Sequence, residues 1–154
     1  MTTITLESIK AEHAKLADMI AAFEKQQEPS ALFFPEATIN LAHGEHYAGI
    51  VIGKDSEPSY HLVLMAATTT NDLSWQAAND WAKRIGGDLP TRREQSLLFA
   101  NLKDAFEERA YWSCEDHDSE SGWAWCQYFS LGSQLSTLKS NELRARAVRR
   151  LVIE

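Results

Sequence analysis

Apolar residues recur every three or four positions near the start of this chain. Leu6, Ile9, Leu16, Ile20 and Phe23 keep a 3,4 rhythm, with His13 in the one polar place. Such a seam predicts a helix over residues 5–27, roughly 33 Å long at ~1.5 Å per residue. Ala11, Ala14, Ala17, Ala21 and Ala22 favour it by propensity. Glu28-Pro29-Ser30 should stop it, because a residue before proline avoids the helical region. The period then shortens. Residues 37–41, 47–52 and 60–66 are short apolar runs that predict strands, separated by His43-Gly44-Glu45 and by a turn over 53–58.

A second helix is expected after Ser74 and up to about Ile85, with Trp75, Ala78, Trp81 and Ala82 on one face. Gly86-Gly87 supplies its left-handed C-terminal stop. Thr91 and Glu94 form a capping-box signature for a third helix, with Leu97, Leu98 and Leu102 on its buried side. Strands follow at 110–115 and 123–130, joined by an acidic loop, then at 134–138 and 143–153. The expected organisation is an association helix over 1–28 and one folded domain over 29–154.

Composition narrows the function classes. The chain has 154 residues, 44% hydrophobic and 24% charged, as in an ordinary globular domain. No apolar run approaches the ~18 residues of a membrane span, and residues 1–5 carry no secretory pattern. A formal net charge of −7 argues against nucleic-acid binding, which needs positive potential at the phosphates. Cys114 and Cys126 are too few for a disulfide scaffold. Reduced thiols, most simply as small core residues, are expected.

Taken together, the tryptophan-bearing helix, Gly86-Gly87, Leu89-Pro90-Thr91-Arg92-Arg93-Glu94, Tyr111-Trp112-Ser113, Ala124-Trp125 and Val148-Arg149-Arg150 carry a resemblance. From about residue 37 to 152 the chain resembles the C-type-lectin-like domain at the C-terminus of collagen-like bacterial adhesins, and the Gly44-Glu45-x-Tyr47-Ala48-Gly49 hairpin followed by Tyr60-His61-Leu62 looks most like its phage and prophage branch. The resemblance implies an α+β fold, with two helices packed on a twisted antiparallel sheet and the domain's ends close together. It implies a binding surface drawn from the acidic loop and the 130s–140s segment. The candidate ligand contacts on that surface are Asp116, His117, Asp118, Glu120, Gln134, Lys139, Asn141 and Arg144. Trp75, Trp81, Trp112 and Trp125 read as core, since a small mixed domain needs large side chains at its centre.

Other constellations are weaker. The carboxylates of residues 115–120 suit calcium by ligand type, but the spacing is not an EF-hand. The sugar-binding tripeptides Glu-Pro-Asn and Gln-Pro-Asp are absent, so a solvated turn is expected and no cofactor. His43, His46 and His61 would need a further ligand to hold zinc. Arg144, Arg146, Arg149 and Arg150 should pair with acidic neighbours across strands. No nucleophile elbow, phosphate loop or His-Glu-x-x-His occurs, and no enzyme is expected.

The seam of Leu6, Ile9, His13, Leu16, Ile20 and Phe23 has two readings. It lies on its own domain, or it pairs with copies of itself, and the strict spacing favours the second. The expected function is a non-catalytic phage or prophage ligand-binding module in receptor binding or virion assembly, with a carbohydrate or protein ligand. It would act in the virion or the host cytoplasm. The alternative is an intracellular phage protein that inhibits a host protein through an acidic surface.

Overall fold

A computed structural model describes residues 4–26 and 31–154. The chain divides into two units, Met1–Pro35 and Glu36–Glu154. In the first, α1 spans Leu6–Gln26. Thr5 caps it, its Oγ1 accepting from Ser8 N at 3.2 Å. Leu6, Ile9, Leu16, Met19, Ile20 and Phe23 lie on the helix surface, each at least half exposed. The predicted stop at Glu28-Pro29-Ser30 falls outside the described residues.

The second unit is α+β. It comprises β1 (His46–Val51), β2 (Tyr60–Thr68), α2 (Trp75–Arg84) and α3 (Arg92–Leu102), then β3 (Ala110–Asp116), β4 (Trp123–Tyr128), β5 (Gln134–Leu138) and β6 (Arg146–Val152). The strands part into two three-stranded antiparallel sheets, ordered β1-β2-β6 and β3-β4-β5, rather than the one sheet expected. A single sheet would need β6 to pair with β3 along its length. Instead the chain entering β6 is drawn aside, Leu143 to Leu73 and Arg144 to Tyr111, each through one isolated bridge. The last strand therefore starts at Arg146 rather than at residue 143.

The strand expected at 37–41 does not form. That segment is fastened by a side chain instead of a ladder. Arg149 Nη2 donates to Asn40 O at 2.8 Å, and Arg149 grips Glu45 through Nε at 3.0 Å and Nη2 at 2.7 Å. Residues 129–130 also fall outside β4, because Phe129 N bonds Arg109 O and Gly132 N turns back to Tyr128 O.

Local sequence sets both helices of this unit. Ser74 Oγ accepts from Ala77 N, and Thr91 with Glu94 completes a reciprocal capping box. α2 ends in a Schellman turn, Gly87 N bonding Ala82 O at 2.9 Å and Gly86 N bonding Lys83 O at 3.0 Å. Gly86 takes φ +84°, a conformation costly for any side chain.

Two apolar clusters fill the interior. One gathers Leu62, Leu64, Leu98, Tyr111, Phe129 and Val148; the other gathers Ala78, Ala82, Leu89, Trp112, Ala124 and Cys126. Of the four tryptophans read as core, Trp112 is fully buried and donates from Nε1 to Leu73 O at 2.7 Å. Trp75 and Trp81 are half-buried against the second cluster. Trp125 lies half-buried on the β3-β4-β5 sheet, next to Arg92 and His117.

Candidate functional site

Three of the four arginines expected to pair with acidic neighbours, Arg144, Arg149 and Arg150, do so and brace the frame. Glu94 is fully buried at the start of α3. Its Oε1 accepts from Tyr60 Oη and Arg150 Nε, both at 2.6 Å, and its Oε2 accepts from Arg150 Nη2 and Thr91 N, both at 2.8 Å. Burial alone would raise the Glu94 carboxyl; the Arg150 and Tyr60 hydrogen bonds and the Arg150 charge outweigh it and hold it below the usual range. Burial, and then the Glu94 carboxylate, push Tyr60 up to about 12. Arg150 also reaches Asp88 at 3.0 Å. Arg149 pairs with Glu45, and Arg144 with Asp72 and Glu107.

Arg146 is the exception among these arginines. It is buried and donates to the carbonyls of Ala105 (2.6 Å) and Met65 (3.1 Å), with Phe106 under its guanidinium at 5.3 Å. Burial lowers its pKa from the ordinary arginine value.

A chain of glutamines joins α3 to the β3-β4-β5 sheet. Gln95 donates to Tyr111 O at 3.0 Å, Gln127 to Gln95 O at 3.2 Å, and Gln134 to Gln127 Oε1 at 2.7 Å. Gln134 also donates to Arg92 O at 2.6 Å. Arg92 in turn lies 3.5 Å from the Trp125 ring, and its backbone N–H donates to Glu115 Oε2 at 2.5 Å. Gln134 is thus a strut between elements, which its place in an exposed-looking polar run concealed.

The loop between β3 and β4 gathers part of the predicted ligand set. Asp116 pairs with Lys139, whose Nζ also donates to Ser121 O at 2.8 Å and sits 4.5 Å over the Trp75 ring. His117 stacks on Trp125 at 5.6 Å, and its Nδ1 accepts from Ser119 N at 3.3 Å and Glu120 N at 3.2 Å. Asp118 and Glu120 are exposed. Asn141 donates to Thr137 Oγ1 at 2.6 Å, on the segment that follows β5. Arg144 does not join this group. It lines a separate cavity of about 260 Å³ with Asp72, Glu108, Arg109, Tyr128 and Glu142.

Among the described residues, no three His, Cys, Asp or Glu side chains converge as a metal-binding group. His61 Nδ1 lies 3.0 Å from Tyr47 Oη. Cys114 and Cys126 are free thiols, and burial pushes both up to about 11. At neutral pH they are therefore protonated and poorly nucleophilic. Among the described residues, no helix is long and apolar enough to cross a membrane.

No protein-family model matches the sequence, and no curated protein matches it.

Proposed function

We propose that residues 36–154 form a C-type-lectin-like binding module of the phage or prophage type, used in tail-associated receptor binding or virion assembly, with α1 joining copies of the chain. The topology supports the fold reading. The first strands and the last share one sheet, two capped helices follow the first hairpin, and a three-stranded meander lies between those helices and the last strand in the chain. The observation that carries the functional reading is the β3–β4 loop. It is held at its base by the Asp116–Lys139 pair and inside by the His117 ring, while the Asp118 and Glu120 carboxylates face solvent. A loop stiffened in this way on a rigid frame loses little entropy on binding.

The test is retention of the purified protein on host cells, with and without Asp118→Ala and Glu120→Ala together, alongside a protein inventory of purified virions. Cell binding that drops at least tenfold in the double variant, or presence in virions, supports the reading. A protein absent from virions that binds no cells overturns it. The net charge of −7 favours the second reading, inhibition of a host protein. Co-purification of one host protein from infected cells, with none of the chain in virions, would establish that alternative.

Self-association rests on the heptad spacing of Leu6, Ile9, His13, Leu16, Ile20 and Phe23. A helix of 21 residues carrying an apolar stripe draws most of its stability from covering that stripe. Copies joined through α1 would add avidity to a weak site. Light scattering should show an oligomer at tens of micromolar; a strict monomer there rules this part out.

A further inference from the structure

The loop between β3 and β4 closes on one side-chain atom. His117 Nδ1 accepts from the backbone N–H groups of Ser119 at 3.3 Å and Glu120 at 3.2 Å, and the Ser119 hydroxyl lies 3.5 Å from the same nitrogen. Among the described residues, neither N–H has another acceptor. The backbone frames this centre: His117 N donates to Trp123 O at 3.0 Å, and Trp123 N to Glu120 O at 2.9 Å. The imidazole is itself held in place, stacked on Trp125 with 5.6 Å between ring centres and 22° between planes.

This arrangement fixes the state of the ring. Two N–H groups can converge on Nδ1 only while that nitrogen keeps its lone pair, so the proton of the neutral ring sits on Nε2. An imidazolium carries N–H at both positions. Its Nδ1–H would face two backbone donors at 3.2–3.3 Å, and both bonds would be lost together. The closed loop therefore requires the uncharged ring. Closure is present above the titration of the ring and is lost as pH falls through it.

We propose that His117 is a proton-operated latch on the β3–β4 loop: the neutral ring holds Ser119 and Glu120, and the protonated ring releases them. Histidine is the side chain whose charge ordinarily changes between pH 5 and 8, so the latch works in a range proteins meet. The charged groups of the elements around the ring are Glu115 and Asp116 at the end of β3, Asp118 and Glu120 in the loop, Lys139 after β5, which is paired with Asp116, and Arg92 of α3, 3.5 Å from the Trp125 ring. The carboxylates favour a charged imidazole and the two cations oppose it. They set where on the pH scale the ring takes its proton; the conflict of donors at Nδ1 does not depend on them. The proposal deepens the binding-module reading by giving its loop a regulator, and its bearing on binding rests on that reading. The exposed Asp118 and Glu120 carboxylates ride on the segment the ring holds. Release turns a surface prepared for its ligand into one that must be ordered on binding, which weakens it.

The test is nitrogen-15 relaxation NMR of the full chain at pH 7.5 and 5.5, both above the range where exposed carboxylates take up protons. Backbone order parameters at Ser119 and Glu120 should be ~0.85 at the higher pH and below ~0.6 at the lower. Ring nitrogen shifts should show Nδ1 unprotonated at pH 7.5. His117→Asn puts Oδ1 on Cγ where Nδ1 stood, an acceptor at either pH, so its loop should stay ordered at both. His13, His43, His46 and His61 still titrate in that variant, which isolates residue 117. His117→Phe keeps a ring against Trp125 without the acceptor, and its loop should be mobile at both. A parent loop equally ordered at the two pH values, a protonated Nδ1 at pH 7.5, or an asparagine variant that loosens with the parent overturns the latch. Retention on host cells separates the two readings. Parent binding that falls at least fivefold at pH 5.5 while His117→Asn keeps its binding supports both. Loop order that ignores pH in a protein that binds cells refutes the latch alone. A working latch in a protein that binds no cells and is absent from virions refutes the module reading alone.

Discussion

Glu94→Gln should be the most informative single substitution in this fold. The side chain keeps its size, but one of two buried oxygens becomes an NH₂ group. The four hydrogen bonds accepted by Glu94 come from Tyr60, Arg150 (twice) and Thr91. After the change, at least one N–H faces another donor at 2.6–2.8 Å separation, and Arg150 loses its main counter-charge. Removing one partner of a buried pair costs about 3–5 kcal/mol. Asp88 stays 3.0 Å from Arg150, and the Arg150 side chain is 27% exposed, so the lower end applies, about 3 kcal/mol. With a urea m-value of about 2 kcal/mol per M, the midpoint should fall by about 1.5 M with m unchanged. The melting temperature should fall by about 9 °C, at ~3 °C per kcal/mol. Tryptophan fluorescence in urea reads the first, and calorimetry the second. Arg150→Met should be costly too, and the double variant should lose less than the sum of the singles. A loss below 1 kcal/mol in Glu94→Gln, or strict additivity in the double variant, would refute the view that this pair locks α3 to β6.

Three further outcomes follow from the same geometry. Glu94 and Glu45 both titrate below the ordinary glutamate value: Glu94 because its bonds outweigh burial, Glu45 chiefly through its hydrogen bond to Arg149. A depressed folded pKa stabilises fully above the unfolded value of about 4.3 and is lost as pH falls through the folded one, so parent stability should drop steeply below pH ~4.3. The curve of Glu94→Gln should be shallower there, and parallel curves from pH 7 to 3 would contradict the assignment. Cys114 and Cys126, both pushed up to about 11 by burial, should react with a thiol reagent at pH 8 far more slowly than after unfolding; rapid native labelling of both would contradict their buried state. Gly132→Ala should destabilise by about 1–3 kcal/mol, since φ is +80° and a Cβ would meet Phe99 Cε1 at 2.7 Å. Gly86→Ala, with open space around it, should cost only about 1 kcal/mol, so equal losses in the two variants would rule out the steric contribution at Gly132.

What could be read in the sequence was what neighbours in the chain decide. Ser74, Thr91, Glu94 and Gly86 act within a turn of their own positions, and the helices they bound lie where those residues imply. The hairpin strands have their own periodicity and were similarly legible. The split into two sheets was not, because it depends on Leu143 and Arg144 bonding across the fold rather than on any local pattern. Residues 37–41 look like a strand in composition, yet a single arginine more than a hundred positions away fixes their course. The candidate site divides along the same line. Asp116, His117 and Glu120 are close in sequence and meet in one loop. Lys139 joins them only through the β4–β5 pairing, Gln134 is drawn off to Arg92 and Gln127, and Arg144 serves another face.

β1 and β6 flank β2 and are each antiparallel to it, so they run in the same direction. His46 lies level with Leu64, whereas Val152 lies level with Tyr60 at the other end of β2. Pulling on the two ends of this unit therefore slides its outer strands past the middle one, loading the ladder bonds side by side rather than peeling them in sequence. The Arg149 grip on Glu45 and Asn40 adds a side-chain tie between β6 and the segment that leads into β1. A unit strung this way resists stretching between its two ends better than it resists peeling from one of them.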